Sequence, residues 1–147
     1  MPNTFTSLRY HIIFATKNRE PFLEPPLRER MHAYLGGCAR TIGCVLLEIG
    51  GVSDHVHLLL GLKPTHCVSD VLCSIKKVSS EWVRHEIGVS KFHWQDGYSA
   101  FTVGRKIDAL RRYIATQEEH HQTRSFEEEY REFLTANGIE FDERYLL

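Results

Sequence analysis

Apolar and polar side chains alternate through several short stretches of this chain, with the period expected of strands that bury one face. Leu8–Ala15 is rich in aromatic and β-branched residues and predicts a first strand, and Cys44–Ile49 predicts a second. The stretch His55–Leu62 follows after only a few turn residues, so it should pair with the second strand as an antiparallel hairpin. Ser99–Val103 predicts a short last strand.

Apolar residues recur at helical spacing in the stretches between and after these strands. The predicted helices run from Leu27 to about Ala39, from Val68 to Ile87, from about Arg105 to His121 and from about Phe126 to Ala136. The order strand, helix, strand, strand, helix, strand is that of the split βαβ, ferredoxin-like fold. We therefore predict an α+β protein with an antiparallel sheet, two helices on one face and extra C-terminal helices. Many activities share this fold, so it does not indicate a function.

The third predicted strand carries two histidines on the same face. His55 and His57 point one way, and Val56 and Leu58 point the other way, toward a predicted core. Neighbouring imidazoles on one strand face are placed to bind one metal ion or one phosphate. The alternative is a half-buried strand whose outer face happens to be polar. That face would be open to a ligand or covered by the last helices.

Composition limits the classes of function. The 147 residues are 42% hydrophobic and 25% charged, which predicts one globular domain spanning residues 1–147. The net charge is −1, so nucleic acid would have to contact a local basic patch. The four cysteines form no C-x-x-C pair and predict reduced thiols. Without an apolar stretch of membrane-spanning length or a recognisable signal peptide, we expect a cytoplasmic protein with no membrane partner.

A tyrosine and a glutamine lie beside the apolar stripe of the third predicted helix. Ile107, Leu110 and Ile114 form that stripe, which should face the body of the protein. Tyr113 and Gln117 are one turn apart to one side of it, where they could overhang the sheet and meet a metal held by the histidines. The alternative is that Tyr113 is a boundary residue of an amphipathic helix and Gln117 is plain surface.

Four motifs occur in order along nearly the whole chain. They are Tyr10–Arg19, His55–His57 followed by leucines, Trp94–Tyr98 and Arg111–His121. Together they resemble the single-tyrosine transposases of the HUH superfamily, which are small insertion-sequence enzymes and their relatives associated with repeated palindromes. This resemblance implies that the extra C-terminal helices carry the catalytic tyrosine.

The resemblance also implies a chemistry. It implies a homodimer that cleaves and rejoins single-stranded DNA folded into hairpins, with Mg²⁺ or Mn²⁺ held by His55, His57 and Gln117. It implies that Tyr113 is the nucleophile and forms a covalent 5′-phosphotyrosine, in some members within the partner subunit's site. One phosphodiester replaces another, so the step is nearly neutral in energy and reversible. Two imidazoles favour Mn²⁺, and we expect the ion to be weakly held without DNA.

Basic and aromatic side chains near these motifs are candidates for DNA contacts. Candidates for phosphate contacts are Lys17, Arg19, Lys76, Lys77, Arg105, Lys106, Arg111 and Arg112, and candidates for stacking on unpaired bases are Trp94, Phe92 and Tyr98. The alternative for each basic residue is a solvated helix face, and for Trp94 it is a core anchor.

Two other functions are compatible with these residues. One is a non-catalytic ferredoxin-like module that only binds hairpin DNA or RNA. The other is a metal-dependent nuclease in which His55 and His57 activate water. A Tyr113→Phe variant separates the three functions, because only the strand-transferase loses a cleavage activity that passes through a covalent adduct.

Overall fold

The four predicted strands form one antiparallel sheet in the computed structural model, which describes residues 4–146. The strands are β1 (Leu8–Ala15), β2 (Val45–Gly51), β3 (His55–Leu62) and β4 (Ser99–Thr102), and their spatial order is β2-β3-β1-β4. Each pair of neighbours is antiparallel. The predicted split βαβ, ferredoxin-like α+β fold is therefore confirmed. Residues 1–3 and 147, which the single-domain prediction includes, lie outside the described residues.

Within residues 4–146, five α-helices accompany the sheet. They are α1 (Leu27–Thr41), α2 (Val68–Trp82), α3 (Ile107–Ala115), α4 (Gln117–His120) and α5 (Phe126–Ala136). The last five residues of the predicted second helix, Val83–Ile87, form a π-helical turn, and short 3₁₀ turns occur at Lys17–Arg19 and Glu143–Tyr145. Among residues 4–146, no helix is both long enough and apolar enough to cross a membrane.

The larger core lies between one face of the sheet and the helices α1 and α2. Phe14 from β1 and Val56, Leu58 and Leu60 from β3 are fully buried in it. The same core includes Leu35 of α1 together with Leu72 and Ile75 of α2. The predicted leucine face of β3 is thus a core face.

The opposite face of the sheet, which carries the histidines, is covered by the C-terminal helices. Ile13 and Phe101 of the sheet pack against Phe126, Tyr130 and Leu134 of α5 in a second, smaller core. Of the two environments expected for the histidine face, the structure shows the one in which the last helices cover it.

The helix predicted from Arg105 to His121 is wrong in its extent, because it begins at Ile107 and breaks at Thr116. Thr116 has φ −111° and ψ 34°, outside the helical region, and its hydroxyl donates a hydrogen bond to the Arg112 carbonyl at 2.8 Å. A threonine that bonds back to a preceding carbonyl competes with regular helix geometry. The break separates α3, which carries Tyr113, from α4, which begins with Gln117.

A glycine on the edge strand allows α3 to lie directly on the sheet. A Cβ atom at Gly50 of β2 would lie 1.8 Å from the backbone oxygen of Ile114. No side chain fits in that space, so the backbones of β2 and α3 can approach only because residue 50 is glycine. This contact fixes the distance between α3 and the sheet, and it therefore fixes the position of Tyr113.

Candidate active site

Three imidazoles lie side by side on the covered face of the sheet. His55 and His57 of β3 are fully buried, with ring centroids 5.3 Å apart. His11 of the neighbouring strand β1 stacks on His57, and its Nε2 atom lies 2.8 Å from Nδ1 of His57. Burial lowers the pKa of His57 to about 4 and that of His11 to about 3, so both rings are neutral at pH 7.

Tyr113 and Gln117 reach the same cluster from α3 and α4. The ring centroid of Tyr113 lies 6.1 Å from that of His57, and Oε1 of Gln117 lies 3.4 Å from Nε2 of His55. Gln117 is buried and Tyr113 is half-buried. The structure thus brings together the four residues that the sequence singles out for chemistry, all from one chain.

A glutamate that the sequence reasoning missed lies at the centre of this cluster. Glu129 of α5 is fully buried, and its Oε1 atom lies 3.0 Å from Nε2 of His57. Its Oε2 atom accepts a hydrogen bond from the Tyr113 hydroxyl. Burial alone would raise the pKa of the Glu129 carboxyl, but its contacts with His121 and His57 outweigh burial and hold the pKa well below its usual range. The carboxylate is therefore ionised.

The contact with Glu129 also affects the pKa of Tyr113. Burial, followed by the hydrogen bond to Glu129, raises the pKa of the Tyr113 phenol well above its ordinary value. Arg124 opposes this effect, because its guanidinium donates a hydrogen bond to the phenol oxygen at 2.9 Å. In this arrangement the phenol is protonated at neutral pH.

His121 is the second residue that the sequence reasoning missed. Its Nδ1 atom lies 2.9 Å from the Arg124 carbonyl oxygen, and its Nε2 atom lies 3.0 Å from Oε1 of Gln117. Burial lowers its pKa, but the neighbouring Glu129 raises it more, and the net pKa is raised. Ligand atoms of His55, His121 and Glu129 all lie within 4.8 Å of one another, close enough to hold a metal ion.

A sequence signal for Glu129 does exist. Phe126, Tyr130 and Phe133 recur at helical spacing and define the apolar face of α5, and Glu129 lies on that face. A single acid within an apolar stripe indicates a buried carboxylate with specific partners. His121 has no such signal, because its position depends on the break at Thr116.

Three candidates for DNA contacts make specific contacts within the protein. Trp94 is only 6% exposed, packs edge-on against Phe14, and donates a hydrogen bond from Nε1 to the Ser79 hydroxyl at 2.9 Å. Phe92 is fully buried beside it. Lys76 donates hydrogen bonds to the carbonyl oxygens of Gln95 and Gly97 at 2.7 and 2.6 Å. Trp94 is thus a core anchor, as in the alternative interpretation, and its ring is not available for base stacking here.

The remaining basic candidates lie at or near the surface. Arg19 forms an ion pair with Glu127 of α5 at 2.6 Å, and Nε of Arg111 lies 3.8 Å from a carboxylate oxygen of Glu48. The other exposed candidates are Lys17, Lys77, Arg105, Lys106 and Arg112. Arg111 and Arg112 immediately precede Tyr113 on α3, so they are the basic side chains nearest in sequence to the candidate nucleophile.

Residues 4–117 match the sequence model of a protein family described as "Transposase IS200 like". This chain belongs to the IS200-like transposase family. The membership confirms the family that the sequence motifs resemble, and with it the class of DNA transposases. The match ends at Gln117, so His121 and Glu129 come from the segment that follows it.

Individual relatives agree with this membership. The transposases of insertion sequence element IS200 from Salmonella typhimurium and Salmonella typhi are each 29% identical over 123 residues, which cover 80% of this chain and 81% of theirs. A solved structure of a candidate transposase from Deinococcus radiodurans R1 is 27% identical, with a TM-score of 0.62, over 76% of this chain and 92% of that one.

A further solved structure shows the fold alone. It is a REP-associated tyrosine transposase bound to a REP hairpin, with 15% identity and a TM-score of 0.55. The similarity covers 75% of this chain and 64% of that one.

Proposed function

We propose that this IS200-like transposase-family protein is a metal-dependent strand-transferase for single-stranded DNA. In this proposal it cleaves and rejoins hairpin-bearing DNA through a covalent 5′-phosphotyrosine at Tyr113, with residues 1–147 acting as one catalytic domain. One observation carries the proposal: the Glu129 carboxylate bonds both the Tyr113 hydroxyl and the His57 imidazole. A nucleophile and imidazoles of metal-binding type therefore belong to one hydrogen-bonded group.

The proposed step exchanges one phosphodiester for another. The Tyr113 oxygen forms a bond to the scissile phosphorus, the bond to the 3′ oxygen breaks, and the released 3′ oxygen takes up a proton. The phenol loses its own proton along the hydrogen bond that Glu129 already accepts. Ionising a phenol with an ordinary pKa near ~10 costs roughly 4 kcal/mol at neutral pH, and the raised pKa of Tyr113 increases this cost. The site must therefore supply positive charge when DNA is bound.

The donor set of the cluster fits a divalent ion of the Mn²⁺ type better than Mg²⁺. The predicted ligands His55, His57 and Gln117 offer two imidazoles and one amide oxygen, whereas Mg²⁺ prefers oxygen ligands. Asp54 Oδ1 lies 2.7 Å from Nδ1 of His55, which leaves Nε2 of that ring facing the cluster. A bound ion would supply charge that stabilises the scissile phosphate and the leaving oxygen.

Exposed basic side chains are the proposed phosphate contacts. Arg111 and Arg112 on α3, with Arg105 and Lys106 just before it, would guide the DNA backbone to Tyr113. A distant relative of the same fold is described as bound to a REP hairpin, which supports a hairpin as the ligand here. The family resemblance supports a homodimer. We propose that each Tyr113 acts beside the histidines of its own subunit, and the 6.1 Å between the ring centroids of Tyr113 and His57 of one chain supports this.

The decisive experiment is an adduct assay with a labelled single-stranded hairpin oligonucleotide and Mn²⁺, read on a denaturing gel. A protein band retarded by covalently attached DNA is expected for the unmodified chain and for the control Tyr145→Phe, whose side chain is exposed. The Tyr113→Phe variant should bind the hairpin without forming the adduct. Cleavage by Tyr113→Phe would show a nuclease, and binding without cleavage by the unmodified chain would show a binding module.

Mixing two inactive variants tests which subunit supplies the tyrosine. Tyr113→Phe and His55→Ala should each form no adduct, and a mixture should remain inactive if each subunit uses its own tyrosine. Recovery of adduct in the mixture would contradict that placement, because only an exchanged α3 can combine intact Tyr113 with intact His55.

A further inference from the structure

A group of polar atoms in the cluster comes from the part of the chain beyond the family match. His121 and Glu129 both follow residue 117, where the match ends. The two are in contact, because Oε2 of Glu129 lies 3.3 Å from Nε2 of His121. They also reach residues within the match: Oε1 of Glu129 lies 3.7 Å from Nε2 of His55, and Nε2 of His121 lies 3.0 Å from Oε1 of Gln117. The predicted ligand set, which is His55, His57 and Gln117, includes neither His121 nor Glu129.

The hydrogen-bond partners of the two histidines indicate where their protons are. Nδ1 of His55 lies 2.7 Å from the carboxylate of Asp54, and Nδ1 of His121 lies 2.9 Å from the carbonyl oxygen of Arg124. Both partners are acceptors, so each Nδ1 atom carries the proton. In a neutral imidazole the other nitrogen then has a lone pair. When both rings are neutral, the lone pairs on Nε2 of His55 and of His121 therefore point into the cluster.

The atoms that face these two nitrogens are acceptors as well. The side-chain nitrogen of Gln117 donates to the Tyr113 carbonyl at 3.2 Å, so its Oε1 atom faces the imidazoles. The ionised carboxylate of Glu129 contributes two further acceptors. Lone pairs from two nitrogens and from these oxygens thus converge, which is unfavourable unless a cation or a proton lies between them.

The spacing of these atoms suits one metal ion. Bonds of about 2.0–2.2 Å to nitrogen and oxygen ligands place neighbouring ligand atoms roughly 3–4 Å apart. The contacts of 3.0, 3.3, 3.4 and 3.7 Å among His55, Gln117, His121 and Glu129 lie in this range. Nε2 of His57 lies 3.0 Å from Oε1 of Glu129, so this imidazole adjoins the same group of atoms.

We infer that His121 and Glu129 join His55 and Gln117 as ligands of a divalent transition-metal ion, with His57 beside them. The inference deepens the proposed function and rests on it, because it concerns the ion of that same site. Two imidazoles, an amide oxygen and a carboxylate suit ions such as Mn²⁺. The carboxylate adds a full negative charge to the site, so the ion is retained without DNA.

The position of Glu129 gives this ion a second consequence. The carboxylate accepts a hydrogen bond from Tyr113, so a DNA phosphate that approached the phenol would meet a buried negative charge. An ion bound to Glu129 neutralises that charge. Metal binding and admission of the phosphate are thus linked through one side chain.

Metal titration of the full-length protein without DNA tests the inference. The protein is stripped with a chelator, and Mn²⁺ binding is measured by calorimetry and by the loss of the free-ion electron paramagnetic resonance signal. The unmodified chain should bind one Mn²⁺, and its melting temperature should rise with Mn²⁺ concentration. Glu129→Gln and His121→Asn should each bind at least about tenfold more weakly. The controls Glu128→Gln and His85→Asn, both at exposed positions, should bind as the unmodified chain does.

Each result has one meaning. Weaker binding in both cluster variants and in neither control supports the ligand set. Absence of Mn²⁺ binding by the unmodified chain overturns it and leaves a proton on His121 as the occupant of the cluster. Unchanged affinity in either cluster variant also overturns it, and circular dichroism of the metal-free variants identifies any that fail to fold, in which case the other variant decides. The covalent-adduct assay is separate, so loss of adduct formation with intact Mn²⁺ binding would count against the proposed function alone.

Discussion

The hydroxyl of Tyr113 donates a hydrogen bond to the carboxylate of Glu129, which couples the candidate nucleophile to a helix beyond the family match. This contact holds the proton on the phenol in the metal-free protein. Burial contributes most to the raised pKa of Tyr113, and the negative charge of Glu129 adds to it. The hydrogen bond that the phenol oxygen accepts from Arg124 acts in the opposite direction.

We expect Glu129→Gln to lower the pKa of Tyr113 toward its ordinary value near ~10, because a neutral amide no longer disfavours the phenolate. The measurement is an alkaline titration of phenolate absorbance in chelator-treated protein, with the titration of a Tyr113→Phe variant subtracted. Glu128→Gln removes an exposed carboxylate from the same helix and should leave the titration unchanged. An unaltered Tyr113 pKa in Glu129→Gln would show that burial alone causes the shift.

We expect His11 to determine which ring nitrogen of His57 carries the proton. Because Nε2 of His57 donates to Glu129, its Nδ1 atom must accept the hydrogen bond from Nε2 of His11. His11→Phe leaves that buried acceptor without a partner, and we expect a loss of about 1–3 kcal/mol in the free energy of unfolding measured with urea. His11→Gln retains a donor and should lose less. Nitrogen-15 chemical shifts should show the Nε2–H form of His57, and the Nδ1–H form would contradict this assignment.

Gly50→Ala should displace α3 from the sheet. The new methyl group would lie 1.8 Å from the backbone oxygen of Ile114, so strand and helix must separate. We expect at least about 2 kcal/mol of destabilisation in urea unfolding, within the range of overpacked cores. The matched control is Gly61→Ala on β3, where the nearest atom is the Cβ of Val45 at 3.5 Å, an ordinary contact. Equal stability of the two variants would show that α3 does not depend on this close approach.

His32 should make the protein less stable in mild acid. Its Nε2 atom is buried without a hydrogen-bond partner, and burial, followed by the nearby Arg28, lowers its pKa to about 4. An unfolded chain has a histidine pKa near ~6.5, so it binds more protons than the folded chain between pH 6.5 and pH 4. Stability should therefore fall as the pH drops through this interval.

A His32→Gln variant isolates this contribution. Going from pH 8 to pH 5, it should lose roughly 1–2 kcal/mol less of its unfolding free energy than the unmodified chain. Urea unfolding at the two pH values measures the difference, and His85→Gln, at an exposed position on the π-helical turn, is the matched control. If His32→Gln and His85→Gln have the same acid dependence, then His32 is accessible to protons in the folded protein.

The elements that depend on local pattern could be predicted from the sequence. Alternation identified β1 and β3, and the same alternation placed His55 and His57 on one face. Helical spacing placed Tyr113 and Gln117 beside each other. These predictions succeed because the period of a strand or helix determines which side chains share a face, whatever the rest of the chain does.

The parts that failed depend on tertiary contacts. The break at Thr116 ends α3 well before His121, where the sequence pattern predicts the helix to end, and no periodicity marks it. Glu129 becomes central only when α5 docks on the sheet, and that docking is determined by Phe126, Tyr130 and Leu134 packing on Ile13 and Phe101. The sequence around Trp94 is compatible with a base-stacking ring or with a core anchor. Only the tertiary structure shows that the ring is buried and bonded to Ser79.

The division of the cluster between two segments has an evolutionary consequence. Tyr113 is positioned by α3, which Gly50 holds on the edge strand, whereas Glu129 belongs to a separately anchored helix outside the family match. Substitutions of Glu129 can therefore change the acidity of the phenol without moving the backbone that carries Tyr113. Evolution can thus tune the reactivity of the nucleophile and its position on the sheet separately.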